Sequence, residues 1–209
     1  MTPRWLDALA DAVAGALRPR DAGPAAERHV VRGFPVLVEN GRADIATADV
    51  LVRLDEAIAL AERHQPWRVR HMRRDVRAIR VTRWPCRGAF LPAERVVLTE
   101  LTFLARRDIG PATVASSFLH EGVHARVHAM GVGPMPDRAA REERLCRRAE
   151  LAFGLALPPD VGAPVVERAR DALALDDAEV APTIDWSVAA RRIAAVDGER
   201  GERGERAVD

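Results

Sequence analysis

His120 and His124 stand four residues apart in the segment Ser117-Phe118-Leu119-His120-Glu121-Gly122-Val123-His124-Ala125-Arg126. On an α-helix, four residues advance about 6 Å and turn about 40° past a full revolution, so imidazoles at i and i+4 converge on one point outside the helix. A zinc ion at about 2.0–2.1 Å from each nitrogen fits there. Glu121 sits beside that point rather than on it, where a carboxylate can take a proton from a water on the ion. The HExxH pattern therefore makes His120 and His124 candidate metal ligands and Glu121 a candidate general base. Val114, Phe118, Leu119, Val123 and Val127 give the same helix apolar surface around much of its circumference. It is expected to be largely buried, and buried histidines need partners.

A second set of polar residues lies downstream. Glu143, Cys146, Glu150, Phe153 and Leu157 fall at i, i+3, i+7, i+10 and i+14, one continuous helical face. Phe153 and Leu157 mark that face as inward. Carboxylates there are costly unless they are paired or bind a metal.

HExxH followed by eighteen residues and then Glu143 resembles the gluzincin class of zinc metallopeptidases, with the zincin fold. The likeness is to short bacterial zincins more than to large aminopeptidases, whose exopeptidase motif is missing. It covers roughly residues 45–157. The resemblance implies one Zn2+ ion, with His120, His124 and Glu143 as ligands and Glu121 as base. It also implies hydrolysis of a peptide or protein substrate. Glu150 is the rival third ligand, and whichever glutamate does not ligate is expected to hydrogen-bond a ligand histidine or an Arg. Cys146, between them, is read as a core residue, with a thiolate ligand as the alternative. His128 continues the histidine face, but i to i+8 spans about 12 Å, too far to share one ion. It is assigned to the cleft or to the oxyanion. The chain has no Tyr, so His128, His71, His64 or an Arg would have to serve the oxyanion. The metzincin pattern is absent, with Val127 and Met130 where its Gly and third His would fall. The competing function is a catalytically silent, zinc-stabilised binding or regulatory module. A protein side chain such as Cys146 in the fourth coordination position would support it.

These residues need elements to position them, and the pattern predicts an α+β, helix-rich, zincin-like fold. A Val-rich strand is expected over residues 29–38, with Pro35 marking an edge or bend, then a turn at Asn40-Gly41. A helix follows over 47–64, with Thr47 as its cap and Leu51, Leu54, Ile58 and Ala61 as its stripe. Residues 76–84 and 96–101 read as strands, and the short Gly88–Leu91 segment as an edge strand over the cleft. Ala89 and Phe90 would meet an extended substrate there. Helices are expected from Gly110-Pro111 to about Met130 and from an Asp137 cap to about Leu157. Weaker helices are expected near 164–175 and 186–196. The domain reading is an N-terminal helix within 1–22, the metal-binding domain over 23–157, a helical extension over 158–196 and a disordered tail over 197–209.

Composition excludes some classes. The 209 residues are 48% hydrophobic, but aromatics make up only 4%, so Ala, Leu and Val must fill the core. The formal charge is +1. Eight arginines lie within residues 67–87, opposed there by Asp75 alone. They form a candidate nucleic-acid patch, but the near-neutral total argues against that partner. Two cysteines do not make a disulfide framework. Asp7 and Asp11 interrupt the first apolar stretch, so it does not read as a signal peptide, and no run is long enough to span a membrane. A cytoplasmic location is the expectation, and the oligomeric state is not legible.

Overall fold

The computed structural model describes residues 26–132, 138–181, 188, 189 and 191. The expected N-terminal helix over 4–18, the Asp137 cap, most of the 186–196 helix and the tail lie outside those residues. The fold is α+β and helix-rich, with a small mixed sheet. The strands are β1 (Glu27–Val31), β2 (Phe34–Val38), β3 (Ala78–Thr82), β4 (Gly88–Leu91) and β5 (Val96–Glu100). The helices are α1 (Thr47–His64), α2 (Pro66–Asp75), α3 (Leu101–Ala105), α4 (Pro111–Ala129), α5 (Ala139–Ala156), α6 (Pro159–Ala174) and α7 (Asp177–Val180).

The single strand expected over 29–38 is instead a hairpin. β1 and β2 pair antiparallel around Arg32-Gly33, both at positive φ (46° and 79°), which turns the chain in two residues. The sheet order is β1-β2-β3-β5-β4. β2, β3 and β5 run parallel, and the two edges are antiparallel to their neighbours. Pro35 therefore sits on an interior strand. It is tolerated because β3 pairs only from Val36 onward, so no ladder partner needs the missing N–H at Pro35.

Side chains alternate across the sheet. Val36, Val38, Ile79, Val81, Val97 and Phe90 face the main core, which α1 and α4 complete through Leu54, Ile58, Phe118 and Leu119. Trp84, Leu91 and Leu98 form a smaller cluster separate from that core. The Phe34 and Phe118 rings meet edge-on at 5.4 Å and tie β2 to α4.

Three further expectations change. Thr47 does not cap α1. Its hydroxyl bonds Asn40 and Glu27 instead, and Ala46 holds the N-cap position. Residues 66–75, read as a helix end, form a separate helix, with Pro66 in its first turn and Val69, Met72 and Asp75 buried. α6 begins at Pro159 rather than near 164. The arginines of 67–87 also find acceptors outside that segment. Arg73 pairs with Glu62, Arg80 with Glu39 and Arg83 with Glu100.

Candidate metal centre

α4 carries the histidines on a helix that is buried over most of its length, His120 and Glu121 included. It can be so deeply set because Gly122 lets α2 approach. A Cβ at Gly122 would fall 2.4 Å from Met72 Sδ, well inside contact distance. α5 packs along the opposite side, burying Cys146, Ala149, Glu150 and Phe153. The 143–146–150–153 face expected from the sequence is the one that meets α4.

Between the two helices, three nitrogen and oxygen groups converge. His120 Nε2 and His124 Nε2 lie 3.2 Å apart. Glu143 reaches both, with Oε2 at 3.3 Å from His120 Nε2 and Oε1 at 3.3 Å from His124 Nε2. The outer nitrogens are anchored: His120 Nδ1 donates to Glu150 Oε1 and His124 Nδ1 donates to Glu142 Oε1, each at 2.6 Å. A carboxylate can only accept, so both Nδ1 atoms carry the proton and a neutral ring presents a lone pair at Nε2. Two imidazole Nε2 atoms and a carboxylate then face one another, an arrangement that is favourable only with positive charge among them, either protons on the rings or a metal ion.

The spacing suits a metal ion. Ligands at about 2.0–2.1 Å in a tetrahedron lie about 3.3 Å from each other. Cys146 joins the group, with Sγ 3.5 Å from His124 Nε2. That is also about the edge expected for one ligand at 2.3 Å and another at 2.05 Å. His120, His124 and Cys146 form a set that could hold a metal ion, their ligand atoms all within 4.8 Å of one another. Cys146 is buried, as the core reading expects, and its sulfur also faces the histidines, so the thiolate alternative stays open.

The anionic groups around the rings draw positive charge to them, as protons or as a metal ion. Burial alone would lower both histidines, but the pull of Cys146 and the glutamates raises His120 and His124 above the ordinary value. Glu143, despite its burial, is held well below the usual carboxylate range by the two histidines. Glu121 moves the other way. Burial pushes it up, and His120 and His124 only partly oppose that. The chain of β4 passes over it: a Cβ at Gly88 would lie 3.3 Å from Glu121 Oε1, close enough that the carboxylate would have to give by a few tenths of an ångström.

Glu150 is the most completely held of these residues. It is 1% exposed and accepts from four donors. Oε1 takes His120 Nδ1 and Arg147, and Oε2 takes Ser116 and Arg168. It sits behind His120 rather than among the converging atoms. Of the edge-strand residues, Phe90 faces α4 and meets the His128 ring at 5.8 Å, whereas Ala89 packs with the Leu98 cluster. His71 stacks edge-on against Trp67, and His64 ends α1. Glu142 is the residue the sequence reading missed. The signal was available, since a ligand imidazole needs an acceptor at its other nitrogen. Cys86, on the loop before β4, donates to the Gly88 carbonyl at 3.0 Å, and burial pushes its thiol up to about 12. It is a poor nucleophile there.

No family model matches the chain, and neither a curated protein nor a solved structure matches it.

Proposed function

We propose that the chain is a zinc-dependent peptidase of the zincin type. The observation that carries this reading is the convergence of His120 Nε2, His124 Nε2 and the Glu143 carboxylate within 3.3 Å, with both outer nitrogens anchored on carboxylates. His120, His124 and Glu143 would hold the ion. Glu150 and Glu142 fix the tautomer and orientation of the rings. Bound there, zinc would supply a Lewis acid and lower the pKa of water. The order of strands, edge strand, histidine helix and glutamate helix supports the zincin architecture.

The remaining roles fall to the chain's own groups. Glu121, a buried carboxylate whose pKa is raised, is suited to accept a proton at Oε and return it to a leaving amine. β4 is the last strand of the sheet and has no neighbour beyond it among the described residues. An extended peptide can add to that edge, with its backbone passing close to Gly88 and hence to Glu121. The test is hydrolysis of an unfolded protein by the zinc-loaded chain and by Glu121→Gln. The variant is expected to keep its zinc and lose at least a hundredfold in rate. Equal cleavage by both would refute the mechanism.

A second reading is favoured by one observation, the Cys146 sulfur at 3.5 Å from His124 Nε2. If the thiolate takes the fourth position, the site is closed and the ion is structural. Cys146→Ser separates the two. Retained metal and activity support the peptidase, whereas loss of metal together with the absence of turnover in the parent supports the closed site.

A further inference from the structure

A cleft of about 250 Å³ opens where the loop before β4 faces α3. Its lining includes Arg83, Arg87 and Arg106, against Glu100 as the one carboxylate. Two of these arginines already have acceptors. Arg83 is paired with Glu100 and Thr102, and Arg106 donates to Asp108. Glu100 is fully engaged as well, since its other oxygen accepts from Thr102 Oγ1 and the Phe103 N–H at the start of α3.

Arg87 differs. Its side chain is exposed at the mouth of the cleft, with the guanidinium 5.6 Å from the Phe103 ring centre and open to a ligand, making no hydrogen bond or ion pair to a described residue. Its charged surroundings are mostly of its own sign: Arg168, Arg106 and Arg147, with Glu150 opposing. Partial burial and that repulsion hold its pKa below the ordinary value. Glu150 cannot relieve it, being saturated by four donors already. An unfilled planar fork of donors, resting on an aromatic face among other cations, is a site for a carboxylate.

The location gives that carboxylate a context. Arg87 immediately precedes Gly88, the residue of β4 that lies against Glu121. We propose that Arg87 binds a carboxylate of the ligand that lies along β4, so that the cleft selects peptides carrying a negative charge at that position. The charge can come from a C-terminal carboxylate or from an acidic side chain. The inference takes the position of the ligand from the peptidase reading, but it is read out by binding and needs no turnover.

Calorimetric titration of the zinc-loaded full-length chain with three acetylated peptides tests it. One is trialanine with a free C-terminus, one its C-terminal amide, and one the Ala-Asp-Ala amide. At least one carboxylate peptide is expected to bind tenfold or more tightly than the neutral amide, and the arm that does so names the source of the charge. Arg87→Met is expected to erase the preference without lowering the melting temperature, because it removes a cation crowded by arginines. Arg87→Lys, which keeps the charge without the fork, is expected to lose several-fold of the preference and serves if the Met variant does not fold. Equal binding of all three peptides overturns the proposal. So does a preference that survives in Arg87→Met or is unchanged in Arg87→Lys, since the carboxylate would then sit on the metal or another arginine. Carboxylate binding without any hydrolysis keeps this site and removes only the peptidase reading, whereas hydrolysis indifferent to ligand charge removes only this inference.

Discussion

The two sides of α4 are both buried, yet they are built from opposite materials. Toward α2, the helix presents Gly122, and Met72 fills the space against it. Toward α5 it presents His120 and His124, and α5 answers with Glu142, Glu143, Cys146 and Glu150. A fold needs the first kind of contact. The second requires buried charges that burial disfavours, and it is tolerable only when every group has its partner. All of the Glu150 and outer-nitrogen bonds are satisfied, while the Nε2 atoms and Glu143 are left facing one another. The apolar side thus explains why α4 is fixed in place, and the polar side gathers the groups on which the proposed metal site depends.

The contrast can be broken from either side. The largest effect on the apolar side is expected from Phe118→Ala, which empties the contact with Phe34 in the main core and should cost about 3–5 kcal/mol by denaturant unfolding. On the polar side, Glu150→Gln keeps the volume but weakens the acceptor of His120. It is expected to lower metal affinity about 10–100-fold, measured by competition with a chromogenic chelator. Unchanged affinity would mean that Glu150 serves only as a structural ion-pair hub. Gly122→Val forces bulk against Met72 and is expected to cost about 1–3 kcal/mol, with metal affinity falling only as far as α4 shifts.

The smallest effect sharpens the comparison at a distance from the metal. Asp75, buried at the end of α2, meets Arg74 and Arg126. Burial would raise its carboxyl, but the Arg74 guanidinium, with Arg126, holds it below the ordinary value. A depressed folded pKa stabilises the native state above the unfolded pKa of about 3.9, and that contribution is lost as pH falls through the folded value. Asp75→Asn is expected to lose a few tenths to about 1 kcal/mol at pH 7 and nothing at pH 2, followed by urea midpoints. A loss that persists undiminished at pH 2 would point to packing instead.

Much of the centre was legible because helical spacing is rigid. The 47–64 helix, the start of α4 and the Gly88–Leu91 strand all coincide with the expectation from sequence. His120, His124 and Glu143 could be placed on facing helices from periodicity and resemblance together. Where the reading failed, the local signal was weak or was overridden. The β1–β2 hairpin turns at Arg32-Gly33, and a positive φ at arginine is not something its residue type announces. α2 is so rich in arginine that its buried stripe of Val69, Met72 and Asp75 was hard to see. Glu142 stands one residue off the face chosen for Glu143, and only the depth of the histidines shows that both carboxylates reach them. For Cys146 the sequence left packing and thiolate ligation both open, and the direction of its sulfur toward His124 is a tertiary fact that residue type does not carry.

The central claim is that the atoms converging between α4 and α5 hold a metal ion. Metal analysis of the purified full-length chain, beside His120→Ala and Glu121→Gln, tests it most directly. The account predicts one equivalent of zinc in the parent and in Glu121→Gln, and none in a folded His120→Ala. A parent that binds no divalent metal when zinc is supplied, or a folded His120→Ala that retains a full equivalent, would contradict it.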